Sequence, residues 1–117
     1  MNKRKIGNKG EQLACDYLIA NGFSIEMRNH YTPYGEIDLI GLKEGKLYFI
    51  EVKFRRTNSY GTARESLNYK KKKSMRASAI HFLKNKTNIY IPFKISYLGI
   101  TLNDGLNEFD FIENIFE

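Results

Sequence analysis

The chain has 117 residues, 42% hydrophobic and 27% charged, with a net charge of +6, which makes it one domain (1–117) with a single core and excludes a disordered chain. Its lone Cys15 excludes an internal disulfide, and no Cys/His spacing suits zinc. No apolar run approaches the ~20 residues of a membrane helix, and no apolar segment follows the basic N-terminus, so a cytoplasmic protein without a membrane partner is expected. The charge is concentrated. Eleven Lys or Arg fall between Lys53 and Lys86 against one acid, whereas Asn103 to Glu117 holds five acids and no base. One side of the molecule should therefore attract polyanions.

A helix is predicted over 8–21, with Asn8 as its cap and Gly22 just past its end. Leu13, Ala14, Tyr17 and Leu18 form its apolar stripe, and Glu11 lies along the same side. Two readings of Glu11 stand: a carboxylate aimed at the interior, or a first-turn acid complementing the helix dipole. Phe23 to Arg28 alternates as a short strand, and 29–33 reads as a connection in which His30 has no assigned role.

The organising stretch is Tyr34 to Arg55, YGEIDLIGLKEGKLYFIEVKFR. Two β-forming runs flank a turn; a two-residue Glu44-Gly45 loop gives one register, and a three-residue bulged loop would shift it by one. With the two-residue loop, Ile40 faces Phe49, Asp38 faces Glu51 and Glu36 faces Lys53, all on one side of the hairpin. Ile37, Leu39, Ile50, Val52 and Phe54 take the other side, expected to be the core. Opposed like charges cost up to ~1 kcal/mol in a sheet, so Asp38 and Glu51 call for a cation between them. Mg²⁺ or Mn²⁺ suits, because a hard cation takes carboxylate oxygens and keeps sites for water and phosphate. With Lys53 on the same side, the set makes a plausible phosphodiester-cleaving centre. Glu36 is expected to support it by pairing with Lys53, the alternative being a ligand to a second metal.

Residues 56–62 read as a loop over this site. A helix is predicted over 67–85, docked through Met75, Ala79, Phe82 and Leu83, with Lys72 extending the stripe and Arg76 bordering it. Arg55, Arg56, Arg64, Lys71, Lys72 and Arg76 are the candidates for nucleic-acid contact, and Lys70 and Lys73 are better read as solvated. Residues 89–101 give a strand or two, with Pro92 marking an edge. Asn103-Asp104-Gly105 is a turn, and 109–112 is either a closing strand or a short helix. The C-terminal acids belong on the side away from a nucleic acid.

Glu11, the Gly35-Glu36-Ile37-Asp38-Leu39-Ile40 run and Glu51-Val52-Lys53 together resemble the PD-(D/E)XK nuclease superfamily. With Lys71 and Ala79-x-x-Phe82-Leu83, residues 7 to 116 resemble the YraN-like family of small bacterial proteins, itself similar to archaeal-type Holliday-junction resolvases. The resemblance implies a restriction-endonuclease-like α/β fold with a mixed central sheet flanked by helices. It implies that Asp38 and Glu51 hold Mg²⁺, that Lys53 orients water and stabilises charge, and that Glu11 completes the site. Ile37 stands where the signature has proline. DNA of structured or branched form would be the partner, and a two-fold dimer is what resolvase likeness suggests. The competing reading is a nucleic-acid-binding module that keeps the fold without catalysis; a mere surface ion-pair ladder is disfavoured, since three acids to one lysine balance poorly.

Overall fold

Strands β2 (Gly35–Lys43) and β3 (Lys46–Arg56) bury apolar side chains on both faces, so the chain must cover its sheet twice. The computed structural model describes residues 3–56, 67–86 and 91–116, with side chains from Gly10 onward. Helix α1 (Lys3–Ala20) precedes β1 (Ser24–Thr32), and after β3 come α2 (Tyr69–Lys86), β4 (Phe93–Asn103) and β5 (Leu106–Ile112). The strands lie in the order β1-β2-β3-β4-β5. Neighbours are antiparallel except β3 and β4, which run parallel because α2 lies in the connection between them. This is the expected α/β architecture, a mixed sheet flanked by helices, consistent with a restriction-endonuclease-like fold.

The expectation of a core on one side of the hairpin is corrected. Under α1 lie Ala14, Cys15 and Leu18 with Leu39, Ile50, Leu98 and Ile100. Under α2 lie Met75, Ala79 and Phe82 with Ile40, Phe49, Ile95 and Tyr97. Ile40 and Phe49 are thus part of a second core.

The hairpin register is the one expected. Glu44 and Gly45 form a two-residue turn with φ of 51° and 77°, the doubly left-handed backbone that matches strand twist. Leu42 faces Leu47, Ile40 faces Phe49 and Leu39 faces Ile50. There the shared register ends. The Val52 N–H donates to the Asp38 Oδ2 at 2.8 Å, so a side chain takes over where the ladder would have continued, and the expected Asp38–Glu51 and Glu36–Lys53 steps are not part of it.

A second irregularity sits on the other side of Asp38. Between the pairs Arg28↔Leu39 and His30↔Ile37, Asn29 opposite Asp38 adopts a left-handed φ of 53°. A strand residue in that conformation turns the following side chains over. Before it, Met27 and Ile40 belong to the α2 side, while Leu39 faces α1 and Arg28 reaches Gln12 of α1. After it, Ile37 packs beneath α2, His30 meets the Phe82 ring at 5.2 Å, and Thr32 reaches Ser78 of α2. Strict alternation would have put these three on the α1 side. The inversion also moves Glu36 across the sheet, so it does not share a face with Lys53.

Other differences follow from tertiary context. Helix α1 begins at Lys3, so Asn8 lies within it and Glu11 is not a first-turn acid; the interior reading of Glu11 stands. Strand β1 runs on through the predicted connection to Thr32. Pro92 precedes β4, an interior strand rather than an edge, and its carbonyl accepts the Leu47 N–H at 3.0 Å. The open choice at the C-terminus resolves as strand β5, entered by a turn at Asp104-Gly105, and its acids occupy the edge separated from β2 by two strands.

Gly10 sets how closely α1 approaches. A Cβ there would stand 2.8 Å from Phe54 Cβ, a distance that real side chains do not tolerate, and the next residue is Glu11. Gly10→Ala should therefore lower stability by ~1–3 kcal/mol, against the gain of up to about 1 kcal/mol that helix propensity alone would give. Urea unfolding of the two proteins measures this, and an unchanged or raised midpoint would contradict the packing.

Candidate metal centre

The splayed end of the hairpin gathers acids from two elements. Carboxylate oxygens of Glu11 on α1 and of Glu36 and Asp38 on β2 lie within 4.8 Å of one another. The inversion at Asn29 makes this possible, because it turns Glu36 toward α1 while leaving Asp38 at the seam with β3. Asn29 also holds the set in place, its Nδ2 donating to Glu11 Oε2 at 3.2 Å. Glu51 completes the group from β3 and pairs with Lys71 of α2, Nζ to Oε2 2.9 Å. Glu36, Asp38 and Glu51 line a narrow cleft floored by Ile37, Phe49 and Met75, with a volume of about 10 Å³. That leaves room for roughly one water or ion and not for a base or sugar.

Electrostatics show the strain of the arrangement. Burial, then the charge of Glu51 and a hydrogen bond to it, push the Asp38 carboxyl up to about 8, the Val52 N–H opposing them. Burial and the charges of Glu11 and Glu51 also raise Glu36. Desolvation works to lower Lys71, but its hydrogen bond and attraction to Glu51, with Asp38 and Glu36 behind, leave it above the ordinary lysine value. The four carboxylates repel one another, and the Lys71 ammonium, paired with Glu51, offsets only part of that charge. Oxygens around an octahedral Mg²⁺ sit ~3–4 Å apart, so the spread of the Glu11, Glu36 and Asp38 oxygens fits a divalent cation after small side-chain adjustments.

The sequence-derived residues divide. Glu11, Glu36, Asp38 and Glu51 come together. Lys53 is exposed on β3 beside Gly99, and it is Lys71, read from sequence as a phosphate contact, whose ammonium pairs with Glu51. Arg56 and Arg76 are exposed and Lys72 is half-buried. Arg55 has Nε and Nη2 buried and is engaged within the protein, which leaves it less available to a phosphate. Arg64 and most of the 56–62 loop lie outside the described residues. Asn29 was missed. Its signal was an asparagine within a β-forming run, a residue type depleted in strands and tolerant of left-handed backbone.

The raised Asp38 pKa has a definite consequence for stability. Between its ordinary value of 3.8 and its folded value of about 8, the folded protein holds a proton that the unfolded chain has released. The contribution of this group to stability therefore falls as pH rises across that window. In metal-free buffer the melting temperature of the wild type should drop, relative to Asp38→Asn, between pH 5 and pH 8.5. The amide introduced by that substitution keeps an oxygen for the Val52 N–H but cannot ionise. Parallel pH profiles of the two proteins would contradict the assignment.

Residues 10–113 match the family model described as "Uncharacterised protein family UPF0102". Among curated relatives, a UPF0102 protein of Syntrophomonas wolfei is 34% identical over 97% of this chain and 98% of its own length. One of Carboxydothermus hydrogenoformans is 32% identical over 100% and 99%. One of Fusobacterium nucleatum is 35% identical over 98% and 93%. The match spans every element that builds the acidic centre except the start of α1, and the chain belongs to the UPF0102 family.

Proposed function

We propose that this protein is a divalent-metal-dependent endonuclease that hydrolyses phosphodiester bonds in structured or branched DNA. The convergence of Glu11, Glu36 and Asp38, with the Glu51–Lys71 pair beside them, is the observation that carries the reading. A sheet broken on both sides of one aspartate to gather like charges costs stability, and a bound cation offsets that cost. Asp38 and Glu51, with Glu11 and Glu36, would hold Mg²⁺ or Mn²⁺, which when bound supplies a Lewis acid and a more acidic water.

The remaining work falls to the chain's own groups. Val52 N–H fixes Asp38, and Asn29 fixes Glu11, so two carboxylates keep their orientation without the cation. Lys71 pairs with Glu51, and its ammonium would meet the charge that builds on a phosphate oxygen. Exposed Lys53, Arg56 and Arg76, with half-buried Lys72, would supply contacts to the flanking backbone. A dimer, as resolvase likeness suggests, would bring two such centres to one junction. Among the described residues no helix is long and apolar enough to cross a membrane.

Calorimetric titration with Mn²⁺, paired with cleavage assays on duplex, single-stranded and four-way-junction DNA, tests this. The wild type should bind the ion and cut at least one substrate, and Asp38→Asn or Glu51→Gln should lose more than ~100-fold in cleavage rate. Ion binding and activity untouched by either change would sink the metal centre. DNA binding without cleavage of any substrate would favour the non-catalytic module.

A further inference from the structure

Three exposed tyrosines lie on the segments that carry residues of the candidate centre. Tyr31 is 74% exposed, Tyr34 56% and Tyr69 79%. Single exposed apolar side chains need no explanation, but these belong to the segments that present the acids. Tyr31 is the cross-strand partner of Glu36, so its Cβ stands about 5 Å from that of Glu36 on the same face. Tyr34 occupies the turn leading into Glu36. Tyr69 opens α2, two residues before Lys71.

The backbone beneath Tyr34 is pinned, although its ring is not buried. Thr32 Oγ1 donates to the Gly35 carbonyl at 2.8 Å and accepts the Tyr34 N–H at 3.0 Å. Its remaining lone pair then takes the proton of Ser78 Oγ, 2.9 Å away, so the hydroxyl is saturated. Ser74 Oγ donates to the Tyr34 carbonyl at 2.5 Å. Ser78 is only 1% exposed. Three hydroxyls thus clamp the turn to α2, the pre-organisation that makes a stacking surface effective. The Tyr34 ring, edge-on to the His81 ring at 6.0 Å, keeps more than half of its surface exposed. Lys70, Lys71, Lys73 and Arg76 stand exposed along α2, the helix that carries Tyr69 and meets Tyr34, whereas Tyr31 shares the α1 face with Glu36. Exposed rings among cations form a single-strand-binding surface, where bases stack and phosphates are neutralised. A closed duplex keeps its bases stacked on one another and gives such rings no partner.

We propose that Tyr31 and Tyr34, with Tyr69, are stacking platforms for unpaired nucleobases beside the acidic centre, so that the strand it receives is single-stranded or splayed where it enters. This rests on the nucleic-acid reading above and narrows its substrate. The test uses full-length Asp38→Asn protein without metal, so that nothing is cut, and measures fluorescence anisotropy with blunt duplex, forked duplex and single-stranded DNA of one sequence. Forked and single-stranded DNA should bind at least tenfold tighter than blunt duplex. Adding Tyr31→Ala and Tyr34→Ala should weaken them by roughly tenfold per ring, with duplex affinity unchanged, while Tyr→Phe at both positions should retain the preference. Equal affinity for all three DNAs, or an equal loss on all three in the alanine variant, overturns the stacking proposal. If the wild type nevertheless cuts blunt duplex with Mn²⁺, the nuclease reading survives; if no DNA binds at all, both fall.

Discussion

One hydrogen bond governs the rest: the Val52 N–H donating to the carboxylate of Asp38. A backbone donor at that point of β3 would ordinarily be satisfied by a carbonyl of β2, and leaving it bare inside the sheet would cost ~1–3 kcal/mol. By supplying the acceptor from a side chain, the protein opens the seam between its two central strands without stranding a donor. The bond also ties an acid into the sheet at the point where Glu51 comes closest. The apolar part of the hairpin, from Leu39 and Ile50 down to the turn, carries the fold; the opened part carries the charge.

The two helices meet at this opening from opposite sides. Helix α1 comes close enough only because residue 10 lacks a side chain, and that approach delivers Glu11 to the acids of β2. Helix α2 is tied to the β1–β2 turn by Ser74 and Ser78 and to β3 by Lys71. The left-handed Asn29 links these roles, since it lets one hairpin send His30, Ile37 and Thr32 to α2 and Glu36 to α1. A substitution at Asn29 would disturb strand direction and Glu11 orientation together, which makes the acidic cluster a property of the whole β1–β2 unit rather than of four independent side chains.

Much of this was legible in the residues. The β-forming runs about Glu44-Gly45 fixed the turn and the register of Leu39 through Leu47, and the helical stripes of Leu13 to Leu18 and Met75 to Leu83 located both docked faces. What escaped was the departure from regularity. Period-two counting carried Glu36 onto the face of Lys53, because nothing in a pattern of apolar and polar letters shows that Asn29 will take a positive φ. Counting also assigned one core where two exist, because nothing in the hairpin alone shows that α2 will cover Ile40 and Phe49. The pairing of Lys71 with Glu51 was equally invisible, since it depends on where a helix remote in sequence crosses the sheet.

The central claim is that a break in the sheet at Asp38 assembles a cation site from α1, β2 and β3. A crystal structure of the protein soaked in Mn²⁺, with anomalous scattering recorded at the manganese edge, tests it most directly. The account expects an anomalous peak within bonding distance, ~2.0–2.3 Å, of an Asp38 oxygen and of at least two among Glu11, Glu36 and Glu51, with the Val52 N–H still on Asp38. A well-ordered centre with no peak, or a peak elsewhere and the four carboxylates unmoved, would contradict it.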